Sequence, residues 1–81
     1  MLKVYSIFDS KAGIFNPPFY QKNAGEASRS FSKIVNEPKS LINEFPEDYV
    51  LIEIGTFDDE KGIIEPSNHV TVGTASQHKR D

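Results

Sequence analysis

Nine residues, Tyr49–Phe57 (YVLIEIGTF), constrain this chain more than any other stretch. Aliphatic and aromatic residues fill the run. Pro46-Glu47-Asp48 before it is turn chemistry, and Asp58-Asp59-Glu60-Lys61-Gly62 after it places a glycine where a left-handed residue is often needed. Such a run is a strand, and Ile63–Glu65 beyond the turn is expected to return antiparallel to it as a β-hairpin. Strict alternation separates an aliphatic face, Val50, Ile52 and Ile54, from a mixed face with Tyr49, Leu51, Glu53 and Phe57. The aliphatic face is the one expected to pack on a helix.

Upstream, Leu2–Phe8 alternates Lys3, Tyr5 and Ile7 with Val4, Ser6 and Phe8, which predicts a first strand. Asp9, Ser10 and Gly13 end it, and Pro17-Pro18 forbid a helix through Tyr20, so this segment is expected to be an extended loop carrying Phe15, Phe19 and Tyr20. Asn23 and Glu26 stand at capping-box spacing, and Ala27, Phe31, Ile34 and Val35 recur at helical spacing behind them. That helix should stop near Asn36, because the Pro38 ring disfavours a helical Glu37. Pro38 suits the start of a second, short helix with Leu41, Ile42 and Phe45 on its apolar side, ended by Pro46; Phe31 and Phe45 both read as core. Pro66-Ser67-Asn68 break the hairpin's second strand, leaving His69–Ala75 as a short edge strand or an irregular return. The predicted fold is α+β, in the order β-loop-α-(short α)-β-β, with a small sheet on one main helix. Residues 1–75 form a single domain and residues 76–81 a flexible C-terminal tail.

A chain of 81 residues has room for one core, and with no cysteine it has no disulfide, thiol nucleophile or thiolate-bound zinc. No apolar run approaches the roughly 18–20 residues that cross a bilayer, and the N-terminus lacks the pattern of a signal peptide, so the chain reads as soluble and not exported. Enzyme templates find no glycine-rich phosphate loop, His-Glu-x-x-His or nucleophile elbow. Turn preferences alone account for Asp58-Asp59-Glu60, and His69 and His78 lack the further ligands a zinc site needs. The chain is therefore read as a binding protein rather than an enzyme, with no metal and no cofactor.

A formal net charge of -3 has the wrong sign for simple neutralisation of duplex DNA. Acid, however, is concentrated between Glu44 and Glu60, and the first half is rich in cations. There Lys3, Lys11, Lys22, Arg29 and Lys33 interleave with Tyr5, Phe8, Phe15, Phe19 and Tyr20, a composition suited to single-stranded nucleic acid, whose bases stack on rings while cations follow the backbone. The candidate contacts are Lys3, Lys11, Phe15, Phe19, Tyr20, Lys22, Arg29 and Lys33. This reading requires the cations to gather beside uncovered rings. The alternative is a protein-interaction module that contacts a viral or host replication or assembly factor. With one helix covering one sheet face, Tyr49, Leu51 and Phe57 are the expected interface of a homodimer or higher oligomer.

Taken in order, VYSIFDSKAGIFNPPF, AGEASRSFSKIVNEP and FPEDYVLIEIGTFDDEKGII resemble the small nonstructural protein of gokushoviruses, microviruses with small circular single-stranded DNA genomes. The resemblance spans about Lys3 to Pro66. Its most telling pieces are Tyr5-Ser6-Ile7-Phe8-Asp9-Ser10-Lys11, Pro18-Phe19, the Ala27 to Asn36 helix, Pro46-Glu47-Asp48-Tyr49 and Gly55-Thr56-Phe57-Asp58. It implies a DNA-binding accessory protein of a bacteriophage, located in the host bacterial cytoplasm and acting when replication turns to making and packaging single strands. It supplies no residue-level site.

Overall fold

Two five-residue turns of the same construction shape the sheet of the computed structural model, which describes residues 1–80. In the first, the Asp9 side-chain oxygen accepts from the backbone N–H of Lys11 (3.0 Å) and Ala12 (3.1 Å), and Gly13 closes the turn at φ 72. In the second, Asp58 accepts from Glu60 (3.0 Å) and Lys61 (3.1 Å), and Gly62 closes it at φ 69. Aspartate satisfies the turn's free donors and glycine takes the left-handed position without steric cost. The first turn joins β1 (Leu2–Asp9) to β2 (Ile14–Phe15), and the second joins β4 (Tyr49–Asp58) to β5 (Ile63–Thr74).

The segment expected as a loop is therefore partly strand. β2 and β3 (Phe19–Gln21) both pair with the same edge of β1, and the Pro17-Pro18 stretch between them leaves the ladder because proline has no N–H to give it. β1 pairs on its other edge with β4, and β4 with β5, so the order is β2-β1-β4-β5, with β3 beside β2 and every pairing antiparallel. This five-stranded antiparallel sheet with helices on one side is the predicted α+β class.

Helix α1 (Ala24–Val35) starts as predicted, with the Asn23 side chain accepting from the Glu26 N–H at 2.9 Å, and Asn36 caps its far end. Ala27, Phe31 and Val35 are fully buried against Tyr5, Ile7 and Leu51 of the sheet. Each large side chain buried there contributes on the order of 1.5–3 kcal/mol. Helix α2 (Leu41–Glu44) begins three residues after Pro38, where the Ser40 hydroxyl accepts from the Asn43 N–H at 3.0 Å and overrides the proline as the start signal. Only Ile42 of its apolar residues is core. Leu41 is 63% exposed, and Phe45, expected inside, is 46% exposed. Pro46–Asp48 forms a 3-10 turn leading into β4.

The two faces of β4 are reversed from expectation. Tyr49 and Leu51 lie under the helices, while Val50 and Ile52 share the opposite face with Phe8 and Ser6 of β1. The strand is apolar on both sides, so alternation alone does not say which side meets the helices. Ile54 is then an extra residue: Tyr5 pairs with Glu53 and Val4 with Gly55. This bulge shifts the phase, so Phe57 joins Val50 and Ile52 rather than Tyr49 and Leu51. The three residues expected to form one oligomer interface are thus divided, two in the core and Phe57 alone on the open face.

β5 continues through Pro66 as one strand of 12 residues, with register shifts opposite Ile54 and at Val72. Residues 76–80, expected as a flexible tail, are instead held to the body. Helix α3 (Ala75–His78) buries Ala75 completely and sets the His78 ring edge-on to Phe31, centroids 5.3 Å apart. Asp81, the last residue of the expected tail, lies outside the described residues.

Candidate nucleic-acid interface

The cap at the end of α1 brings three cationic side chains to one surface. Asn36 donates through Nδ2 to the Ser32 carbonyl (2.7 Å) and the His78 carbonyl (2.9 Å), while its Oδ1 accepts from the Arg80 N–H (2.7 Å). One amide thereby ties the C-terminal segment along α1. The result is a shallow groove of about 620 Å³ lined by Arg29 and Lys33, one helical turn apart, together with Arg80, His78, Ser28 and Ser32. Lys79 turns the other way and donates to the Asn43 carbonyl at 3.0 Å.

Among the described residues, ion pairs join Met1 to Asp59 (3.1 Å) and Lys3 to Glu53 (3.4 Å), and neither involves a groove residue. Arg29, Lys33 and Arg80 therefore present positive charge without a carboxylate within 4.0 Å among those residues. The hydroxyls of Ser28 and Ser32 add hydrogen-bonding groups, so the arrangement suits an anion with several oxygens.

The eight candidate contacts do not converge. Arg29 and Lys33 share the groove. Lys3 is paired with Glu53, Lys22 is exposed just beyond β3, and Lys11 sits at the far end beside Asp9, Asp48, Leu41 and Phe45. Phe19 packs inward against Tyr5, ring centroids 6.0 Å apart. Phe15 and Tyr20 are exposed, 42% and 41%, but on the sheet face away from the helices. There Phe15 packs at a tilt against Phe8 (4.7 Å) and edge-on with His69 (5.5 Å), and Tyr20 packs at a tilt against Phe57 (5.5 Å). Phe15 and Tyr20 thus lie on the opposite side of the sheet from Arg29 and Lys33, which belong to the helical layer. Sequence reasoning missed Arg80, His78 and Asn36. The signal in the sequence is the run His78-Lys79-Arg80.

Two tyrosines mark the buried electrostatics. Desolvation, reinforced by the Glu53 carboxylate, raises the Tyr5 phenol above its ordinary value, and the Tyr5 hydroxyl is buried without a hydrogen-bond partner. Tyr49 is raised by desolvation and then by the carboxylates of Asp9 and Asp48. At the hairpin tip the N-terminal ammonium lowers Asp59.

Residues 2–78 match the phage ORF5 protein family. The chain belongs to that family. No curated protein and no solved structure matches it. The match to the ORF5 family takes in all five strands and the three helices, extending past Pro66, where the resemblance read from the sequence ended. Among its described residues, the chain has no helix long and apolar enough to cross a membrane.

Proposed function

We propose that this phage protein is a non-enzymatic accessory factor of the gokushovirus nonstructural type, binding single-stranded DNA by its phosphates in the host cytoplasm during replication or packaging. The observation that carries the reading is the groove in which Arg29, Lys33 and Arg80 meet without carboxylate partners among the described residues. Phe15 and Tyr20 face away from it, so base stacking on those rings is not part of the contact. Three phosphate contacts give a slope of about -2 in log affinity against log salt for a single strand, or roughly a 20-fold loss between about 50 and 200 mM.

Fluorescence anisotropy with a labelled oligonucleotide tests this at those two salt concentrations. The double substitution Arg29→Ala with Lys33→Ala is expected to reduce the slope by about 1.4. Absence of binding at low salt, or a slope that the substitutions leave unchanged, overturns the proposal. The reading as a protein-interaction module draws on the other side of the molecule, where exposed rings carry no accompanying cation. What covers that side is a separate question from DNA binding.

A further inference from the structure

The sheet face away from the helices is apolar and free of formal charge. Registered neighbours place Leu2, Phe57 and Ile64 at one end, Val4, Tyr20 and Pro66 in the middle, and Phe8, Phe15 and Val50 at the other. Ser6, Ile52, Thr71 and Thr74 complete the register, so no Asp, Glu, Lys or Arg points from it, in a chain that is 26% charged. Val4 and Ser6 are buried within the chain, the Ser6 hydroxyl donating to the Asn16 carbonyl, while Ile64 is 59% exposed and the rings of Phe15 and Tyr20 are partly exposed around them. Contiguous apolar surface of this kind marks a contact site.

We infer that a second copy of this chain covers the face, the two sheets packing against each other with their helical layers outermost. Charge selects this occupant. Identical faces meeting about a two-fold axis carry the same formal charge, and two faces without charge do not repel. Single-stranded DNA would find no cation there to hold its phosphates.

Relief points the same way. Beside the Tyr20 ring lies a mainly apolar groove of about 250 Å³ lined by Val4, Pro18, Ile54, Ile64 and Pro66, with Glu65 also on its wall but opposite Thr56 in the register, out of phase with Ile64 and Pro66. A two-fold axis puts the rings of each copy over the groove of the other, so one surface supplies both knob and hole. Strand spacing and rise give the face a projected area on the order of 500 Å². That is short of the roughly 800 Å² per partner of a standard interface and places the contact among the smaller ones. Edge-to-edge pairing is the weaker route, since on the free edge of β5 Pro66 has no N–H, register shifts interrupt the ladder, and α3 lies beside Gly73.

Ile64 and Ile14 form a matched test, each 59% exposed, the first on the open face and the second off it, opposite Asp9 on the other side of the sheet. Light scattering on the eluting protein at micromolar concentration is expected to give twice the 9.1 kDa chain mass for the parent and for Ile14→Glu. Ile64→Glu should halve that mass, and so should Tyr20→Glu, with far-UV circular dichroism unchanged. A parent at single-chain mass overturns the inference. So does Ile64→Glu or Tyr20→Glu remaining at double mass, or Ile14→Glu dissociating as readily as they do. Oligonucleotide binding does not enter this measurement, so it stands or falls apart from the DNA proposal.

Discussion

Replacing Asn36 by alanine releases the C-terminal segment from α1 while leaving the helix itself in place. The Asn36 backbone N–H still donates to the Ser32 carbonyl at 3.0 Å, so the cap survives in part. Two long-range bonds are lost, Nδ2 to the His78 carbonyl and the Arg80 N–H to Oδ1. Net contributions of about 0.5–1.5 kcal/mol per bond give a loss of about 1–3 kcal/mol in the docking of residues 78–80. Local opening by that amount speeds amide exchange at Arg80 by roughly 5- to 150-fold. Ala75 in the core, the His78 ring on Phe31 and Lys79 on Asn43 keep α3 itself attached. The assay is residue-resolved hydrogen exchange by NMR on parent and variant, with urea unfolding as a check on the body of the domain. Oligonucleotide affinity should fall to the level of Arg80→Ala, because the guanidinium survives but is no longer placed. Refutation comes from an Arg80 amide that exchanges at the free-peptide rate in the parent, or one whose protection the substitution does not change.

Gly55→Ala should destabilise the domain by about 1–3 kcal/mol in urea unfolding, as overpacking does. A Cβ at Gly55 would stand 2.5 Å from the Glu65 carbonyl oxygen, a backbone atom that cannot swing aside, and an unchanged midpoint would refute the close approach. Alkaline pH should destabilise the fold through Tyr5 and Tyr49. Burial, with Glu53 for the first and Asp9 and Asp48 for the second, keeps both phenols neutral above their ordinary range. The unfolded chain loses both protons near about pH 10, so stability is intact below that point and falls as pH rises through the raised folded values. Urea midpoints taken across that window, with phenolate absorbance followed in parallel, check the sign; a flat midpoint would contradict it.

Local chemistry made much of this fold legible. Asn23 announced the start of α1, and the spacing of Ala27, Phe31 and Val35 its buried stripe, because capping and helical periodicity act within a few residues. The strand β4 and its turn at Asp58–Gly62 were equally readable. The same turn at Asp9–Gly13 was not extended into a hairpin, since β2 is only two residues long and the prolines after it masked the return of β3. Of the candidate site, Arg29 and Lys33 were identified, being on the exposed side of a readable helix. Their partner Arg80 was not, because its position depends on an amide 44 residues away.

Helix limits, turn chemistry and the α+β class thus follow from the amino-acid sequence, where each signal is carried by neighbours in the chain. Tertiary structure alone decided which face of β4 meets the helices, and with it which residues are left uncovered. A strand apolar on both sides has no local preference between them, and one extra residue at Ile54 exchanges the two sides for everything beyond it. Long-range packing likewise separated cations from rings: charge and aromaticity are properties of composition, but their distance from each other is set by which layer of the fold each one joins.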